Sequence, residues 1–138
     1  MTAQGSPRLN LALLLLRAVP ALLLVGFHGW DKLVAATRYL AHGTEWKFIE
    51  AVAGLGFPLP AFFAVCAALA ESVVALFLAA GLFTRYAAAI VAFNFTVAVY
   101  RHVTTDFRFE LAALYWLIAV VFVFTPPGRF ALDAVRRA

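Results

Sequence analysis

Long apolar runs alternate with short polar clusters along the chain, and their spacing predicts its elements. About 20 apolar residues, at 1.5 Å rise each, cross roughly 30 Å of hydrocarbon as a helix. Four runs approach that pattern, at about 9–30, 60–82, 85–100 and 109–124. The first, LNLALLLLRAVPALLLVGFHGW, contains Arg17 and Pro20. The proline frees the Leu16 carbonyl and permits a kink close to the arginine. The second run contains AFFAVCAALAESVVALFLAAG, with the carboxylate of Glu71 at its middle. Residues 31–59 connect these two spans and mix apolar with charged positions at helical spacing, including Tyr39, Leu40, Trp46, Ile49 and Val52. That pattern predicts one or two short amphipathic segments on the membrane surface. Gly54, Gly56, Pro58 and Pro60 end them and turn the chain back. FTRY (83–86) reads as a tight turn, RHVTTDFRFE (101–110) as a second polar loop, and Thr125-Pro126-Pro127-Gly128 as a stop. The expected fold is all-α, an integral membrane four-helix bundle in a single domain over 1–138. A partly amphipathic loop joins its first two spans.

Composition agrees with a bilayer as solvent: 65% of residues are apolar and 13% charged, against about 45–50% and about 25% in soluble domains. The net charge of +4 comes from basic residues at segment ends, where headgroups meet them, so the lipid bilayer and no nucleic acid is the expected partner. Cys66 is the only cysteine, which leaves no internal disulfide, CxxC pair or cysteine metal cluster and reads as an inert buried thiol. The N-terminus lacks a basic leader, and its apolar run ends in GFHGWDK rather than a cleavage site, so the first span reads as retained. Four spans put both termini on one side. Lysine and arginine divide evenly between the two sides; the C-terminal arginines and the bulk of the 31–59 loop incline the termini to the cytoplasm.

A carboxylate at mid-membrane costs about 2.5–3.5 kcal/mol on insertion scales, so it faces protein or water and has a partner. Counting residues from the terminal side at 1.5 Å each puts Arg17 about 12 Å deep, Glu71 about 16 Å, Asn94 about 14 Å and Tyr115 about 14 Å. The expectation is a buried Arg17–Glu71 ion pair, with Asn94 and Tyr115 completing its hydrogen bonds. Such a layer either sets helix register or forms a substrate, quinone or proton site. The opposite end carries an interfacial polar cluster that includes His28, Lys32, Arg101, His102 and Glu110. His28 and His102 could ligate a metal or haem from two helices, but no third ligand has metal spacing, so neither group is expected.

FHGWDKL (27–33), ALAE (68–71), GLFTRYAA (81–88), FELAALY (109–115) and PPGRFALDA (126–134) resemble, in order and spacing, the landmarks of the DoxX family of small four-span bacterial membrane proteins. The matching positions include Arg17, His28, Gly29, Lys32, Glu71, Gly81, Thr84, Arg85, Glu110, Gly128, Arg129 and Asp133. Ser72-Val73 departs from the small glycines common there. The resemblance implies membrane redox biology: the family takes its name from a likeness to thiosulfate:quinone oxidoreductase subunits, and some members partner thiol or superoxide enzymes. The expected function is therefore an accessory subunit of a redox complex in the bacterial inner membrane, with quinone as candidate cofactor and a soluble redox enzyme or a second copy as candidate partner. A small transporter or amphiphile-binding bundle built on Glu71, or a ligand-free scaffold, are the alternatives. No catalytic residue is assigned, and the chain has neither a CxxC pair nor a nucleotide-binding glycine loop that would make it an enzyme on its own.

Overall fold

The computed structural model describes residues 5–137. Its first helix, α1, runs unbroken over Pro7–His42. Ser6 caps it through Leu9 N–H, and Pro7 occupies the first turn, where its missing N–H costs nothing. At 36 residues, or about 54 Å, α1 is much longer than a hydrocarbon core, and Gly43 ends it in the left-handed conformation. The segment 31–42, expected as surface connection, is therefore the second half of α1. Nothing in WDKLVAATRYLAH breaks a helix, and Asp31 and Lys32 do not do so merely by being charged.

A short helix, α2 (Lys47–Gly54), follows and is amphipathic. α3 (Pro60–Ala80) returns across the molecule, and Gly81 turns it into α4 (Thr84–Thr105). α4 extends five residues beyond the end expected at Tyr100. α5 (Glu110–Phe124) packs along α4, and a last short turn of helix, α6, covers Leu132–Arg136. No strand occurs among the described residues. α1, α3 and α4 are long and apolar enough to cross a membrane; α5 is apolar but has 15 residues, about 22 Å.

Alanine dominates the interior, with Ala64, Ala68, Ala75, Ala88 and Ala119 essentially inaccessible. Small side chains let helix backbones approach closely, which is how helices associate where lipid tails are as apolar as leucine. Large apolar side chains such as Leu15, Leu22, Phe62, Leu117 and Phe124 point outward instead. An apolar exterior around buried polar groups is the arrangement a lipid environment selects. The protein is thus a helical membrane protein.

Two π-helical turns, Val25–Gly29 in α1 and Ala70–Val74 in α3, face each other inside the bundle. Gly29 lies against the Glu71 backbone there, so close that a Cβ would overlap the Glu71 carbonyl. π turns widen a helix by one residue and concentrate at functional sites.

Candidate functional site

The π turn of α3 carries Glu71, whose residue is 4% exposed. Lys32, just beyond the π turn of α1, reaches both carboxylate oxygens with Nζ at 2.7 Å. Asn94 of α4 donates through Nδ2 to Oε1 at 3.0 Å. Three helices thus converge on one carboxylate. Lys32 keeps 27% of its side chain exposed against 5% for Glu71, and its ammonium also sits over the Phe48 ring of α2, 4.7 Å from the centroid. That is cation–π distance.

Arg17 does not pair with Glu71. The depth count placed them together because it took the start of the first span, near Leu9, as level with the end of the second, near Leu82, whereas Arg17 itself is level with Gly81. With α1 continuous, the part of the helix level with Glu71 is Gly29–Lys32, some 12–15 residues and about 18–22 Å beyond Arg17. Arg17 instead lies at the end of α3 beside Gly81, with 1% exposure. Its Nη1 donates to Pro127 O at 3.1 Å and its Nη2 to Phe130 O at 3.4 Å, while Nε has no partner. Tyr115 makes no hydrogen bond to Glu71. Its ring stacks against Phe95 at 5.2 Å and takes His28 edge-on at 6.1 Å.

A cavity of about 180 Å³ opens beside Glu71 between α2, α3 and α4. Lys32, Glu71, Asn94, Arg101 and His102 supply its polar lining, and Phe48, Phe57, Phe63, Ile90 and Phe93 much of the rest. Cys66, expected to be buried, is exposed and lines this cavity too. His102 Nδ1 meets Asp106 Oδ1 at 2.9 Å. That bond, with the Arg108 amide, holds the Asp106 carboxyl below its ordinary range. His28 and His102 serve different neighbours, and Glu110 opens α5 in exposed surroundings. Among the described residues no three histidine, cysteine or carboxylate side chains gather as a metal set.

Sequence reasoning passed over a second constellation, at the end of the bundle where the two ends of the described chain meet. Asn10 accepts from Arg129 N–H at 2.9 Å. Asp133 accepts from Phe83 N and from Thr84 N and Oγ1, each at 2.8 Å. Phe83 has φ 48, a left-handed conformation costly for a side chain with a Cβ, and the Asp133 bond fastens it. This latch closes the segment after α5 over Arg17. Burial alone would raise the Asp133 carboxyl; the bonds from Thr84 and Phe83, with the Arg137 charge, outweigh it and hold it below the usual carboxylate range. A lowered folded-state value gives stability that is complete above the unfolded value of about 3.9 and lost as pH falls through the folded one. The melting temperature in detergent should thus be flat near neutrality and fall below about pH 4. Asp133→Asn should begin lower and lose that part of the pH response.

The DoxX family model matches residues 12–104, which include Arg17, Lys32, Glu71 and Asn94. Searches of curated proteins and of solved structures give no match. The family match spans well over half of the chain, and on that ground the protein belongs to the DoxX family.

Proposed function

We propose that this DoxX protein is an accessory membrane subunit of a redox complex and that the cavity beside Glu71 receives a quinone ring. The observation that carries the reading is the Lys32–Glu71–Asn94 triad at the edge of a mostly apolar cavity. Ligand sites combine that apolar lining with a few convergent polar groups. The size is suitable, since an apolar cavity of about 150 Å³ holds a benzene ring. A bound quinone supplies a two-electron acceptor with two carbonyl oxygens. Lys32, Asn94, Arg101 and His102 can donate hydrogen bonds to such oxygens, and Glu71 is the one carboxylate among the cavity residues able to accept from, or take a proton from, a ring hydroxyl. The electrons would pass to or from a soluble oxidoreductase docked on the membrane. The termini would face the cytoplasm and the bilayer would be the bacterial inner membrane.

The test is purification from the native membrane in mild detergent, followed by solvent extraction with quinone absorbance and by mass spectrometry of co-purifying proteins. Wild type should retain both ligand and partner. Glu71→Gln removes the proton acceptor but preserves shape, and should lower ring retention at least tenfold, about 1.4 kcal/mol, while the bundle stays folded. A wild-type protein free of quinone and partner would end this reading and favour an amphiphile-binding or scaffold role.

A further inference from the structure

The charge of the chain is very unevenly placed along the bundle axis. The end of the bundle where both ends of the described chain lie carries Arg8, Arg17, Arg85, Arg129, Arg136 and Arg137 against one carboxylate side chain, Asp133, a local net of +5. The rest of the chain holds the other five cations and six carboxylates, a net of −1, and the two together make the overall +4. Asp133 is the one carboxylate side chain at this end; its oxygens accept from Phe83 and Thr84, and its charge offsets part of that of Arg137, leaving the excess of arginines in place.

At this end a groove of about 790 Å³ runs between the start of α1 and the segment after α5. Leu9, Leu13, Pro126 and Val135 give it apolar walls, and its charged lining is Arg129 and Arg137 against the single carboxylate of Asp133. Arg8 stands in the first turn of α1 beside it, where the helix dipole adds positive potential. Among the described residues neither Arg129 nor Arg137 makes a salt bridge within 4.0 Å. α6 exposes Leu132 and Val135, as an interfacial helix does.

The geometry points to a lipid site: the groove seats one anionic phospholipid, its phosphate between Arg129 and Arg137 and an acyl chain along Leu9, Leu13 and Val135. Guanidinium groups bind phosphate oxygens with paired donors, and the apolar walls match a chain that a free anion lacks. This site is separate from the Glu71 cavity and does not depend on what that cavity holds.

Native mass spectrometry of the full chain, with phosphatidylglycerol or phosphatidylcholine of identical acyl chains added, tests it. Wild type should retain one phosphatidylglycerol in preference to phosphatidylcholine, and the preference should shrink as salt rises. Each basic residue near an anionic surface contributes about 1 kcal/mol, so Arg129→Gln with Arg137→Gln should weaken retention roughly 30-fold. Arg38→Gln with Arg108→Gln, at the other end, should leave it unchanged. Equal retention of the two lipids by wild type, or equal loss in both double variants, overturns the site. Displacement by inorganic phosphate at matched concentration overturns the lipid as its occupant. The wild-type comparison and its salt dependence decide the matter even if the Arg129/Arg137 variant does not fold.

Discussion

Gly29→Ala is expected to prevent α1 and α3 from closing on each other. The added methyl would meet the Glu71 carbonyl, which is backbone and cannot swing aside as a side chain could. Overpacking a well-packed core costs about 1–3 kcal/mol, and a backbone obstacle puts this substitution at about 3 kcal/mol, the upper end. Separation of the helices would also draw Lys32 away from Glu71, so stability and the site should fail together. The check is a denaturation midpoint in detergent alongside ligand retention. Gly26→Ala is the control, because nothing lies within 4 Å of a Cβ there. If Gly29→Ala were as stable as Gly26→Ala, the close approach of the two π turns would be wrong.

Breaking the Lys32–Glu71 pair from one side should be nearly as severe. Glu71→Leu leaves an ammonium beside an apolar cavity and strips Asn94 of its acceptor. Removing one partner of a buried pair costs about 3–5 kcal/mol. The 27% exposure of Lys32 lets it reach water and puts the expected loss near 3 kcal/mol, the low end of that range. Replacing both partners, Lys32→Met with Glu71→Leu, should recover most of that loss, since apolar replacements of buried pairs are often neutral or better. The same double variant should still bind no quinone. Stability restored without binding assigns the pair to function; stability and binding both intact would make it a packing device.

These two expectations mark where the sequence was readable. The apolar runs and the stop at Pro126-Pro127 are local signals, and the helices follow them. The turn expected at FTRY (83–86) instead falls earlier, at Gly81–Phe83, and Thr84, Arg85 and Tyr86 open α4. The importance of Glu71 was also legible, because an isolated carboxylate in an apolar run demands a partner. Its partner was not. Lys32 lies next to Asp31 and Trp30 in a stretch that reads as an interface, and only the continuity of α1 brings it level with Glu71. Arg17 shows the reverse error: an arginine inside an apolar run reads as mid-membrane, yet it ends among the carbonyls of a loop more than 100 residues away in sequence. A loop folding back over a helix end leaves no periodicity to detect. Asp133 was visible only as a motif position, and its bonds to Phe83 and Thr84 depend on that same fold-back.

The two facing π turns carry a consequence for how such a site arises and is lost. A π turn is what an α-helix becomes on gaining one residue, and one residue is worth about 100° of rotation. The extra residue is taken up inside the turn, so the helix on either side keeps its faces. Deleting one codon within 25–29 or 70–74 would restore plain α-helix and remove the widened backbone at which Gly29 meets Glu71. A residue gained in the regular helix between the turn and Lys32 has no such absorber and would swing Lys32 about 100° around α1. Relatives can therefore keep the lysine, glutamate and asparagine yet lose the arrangement through a length difference of one. Loss of a codon in these two windows, or gain of one beside them, rather than substitution, is the mutation to look for when tracing which family members share this chemistry.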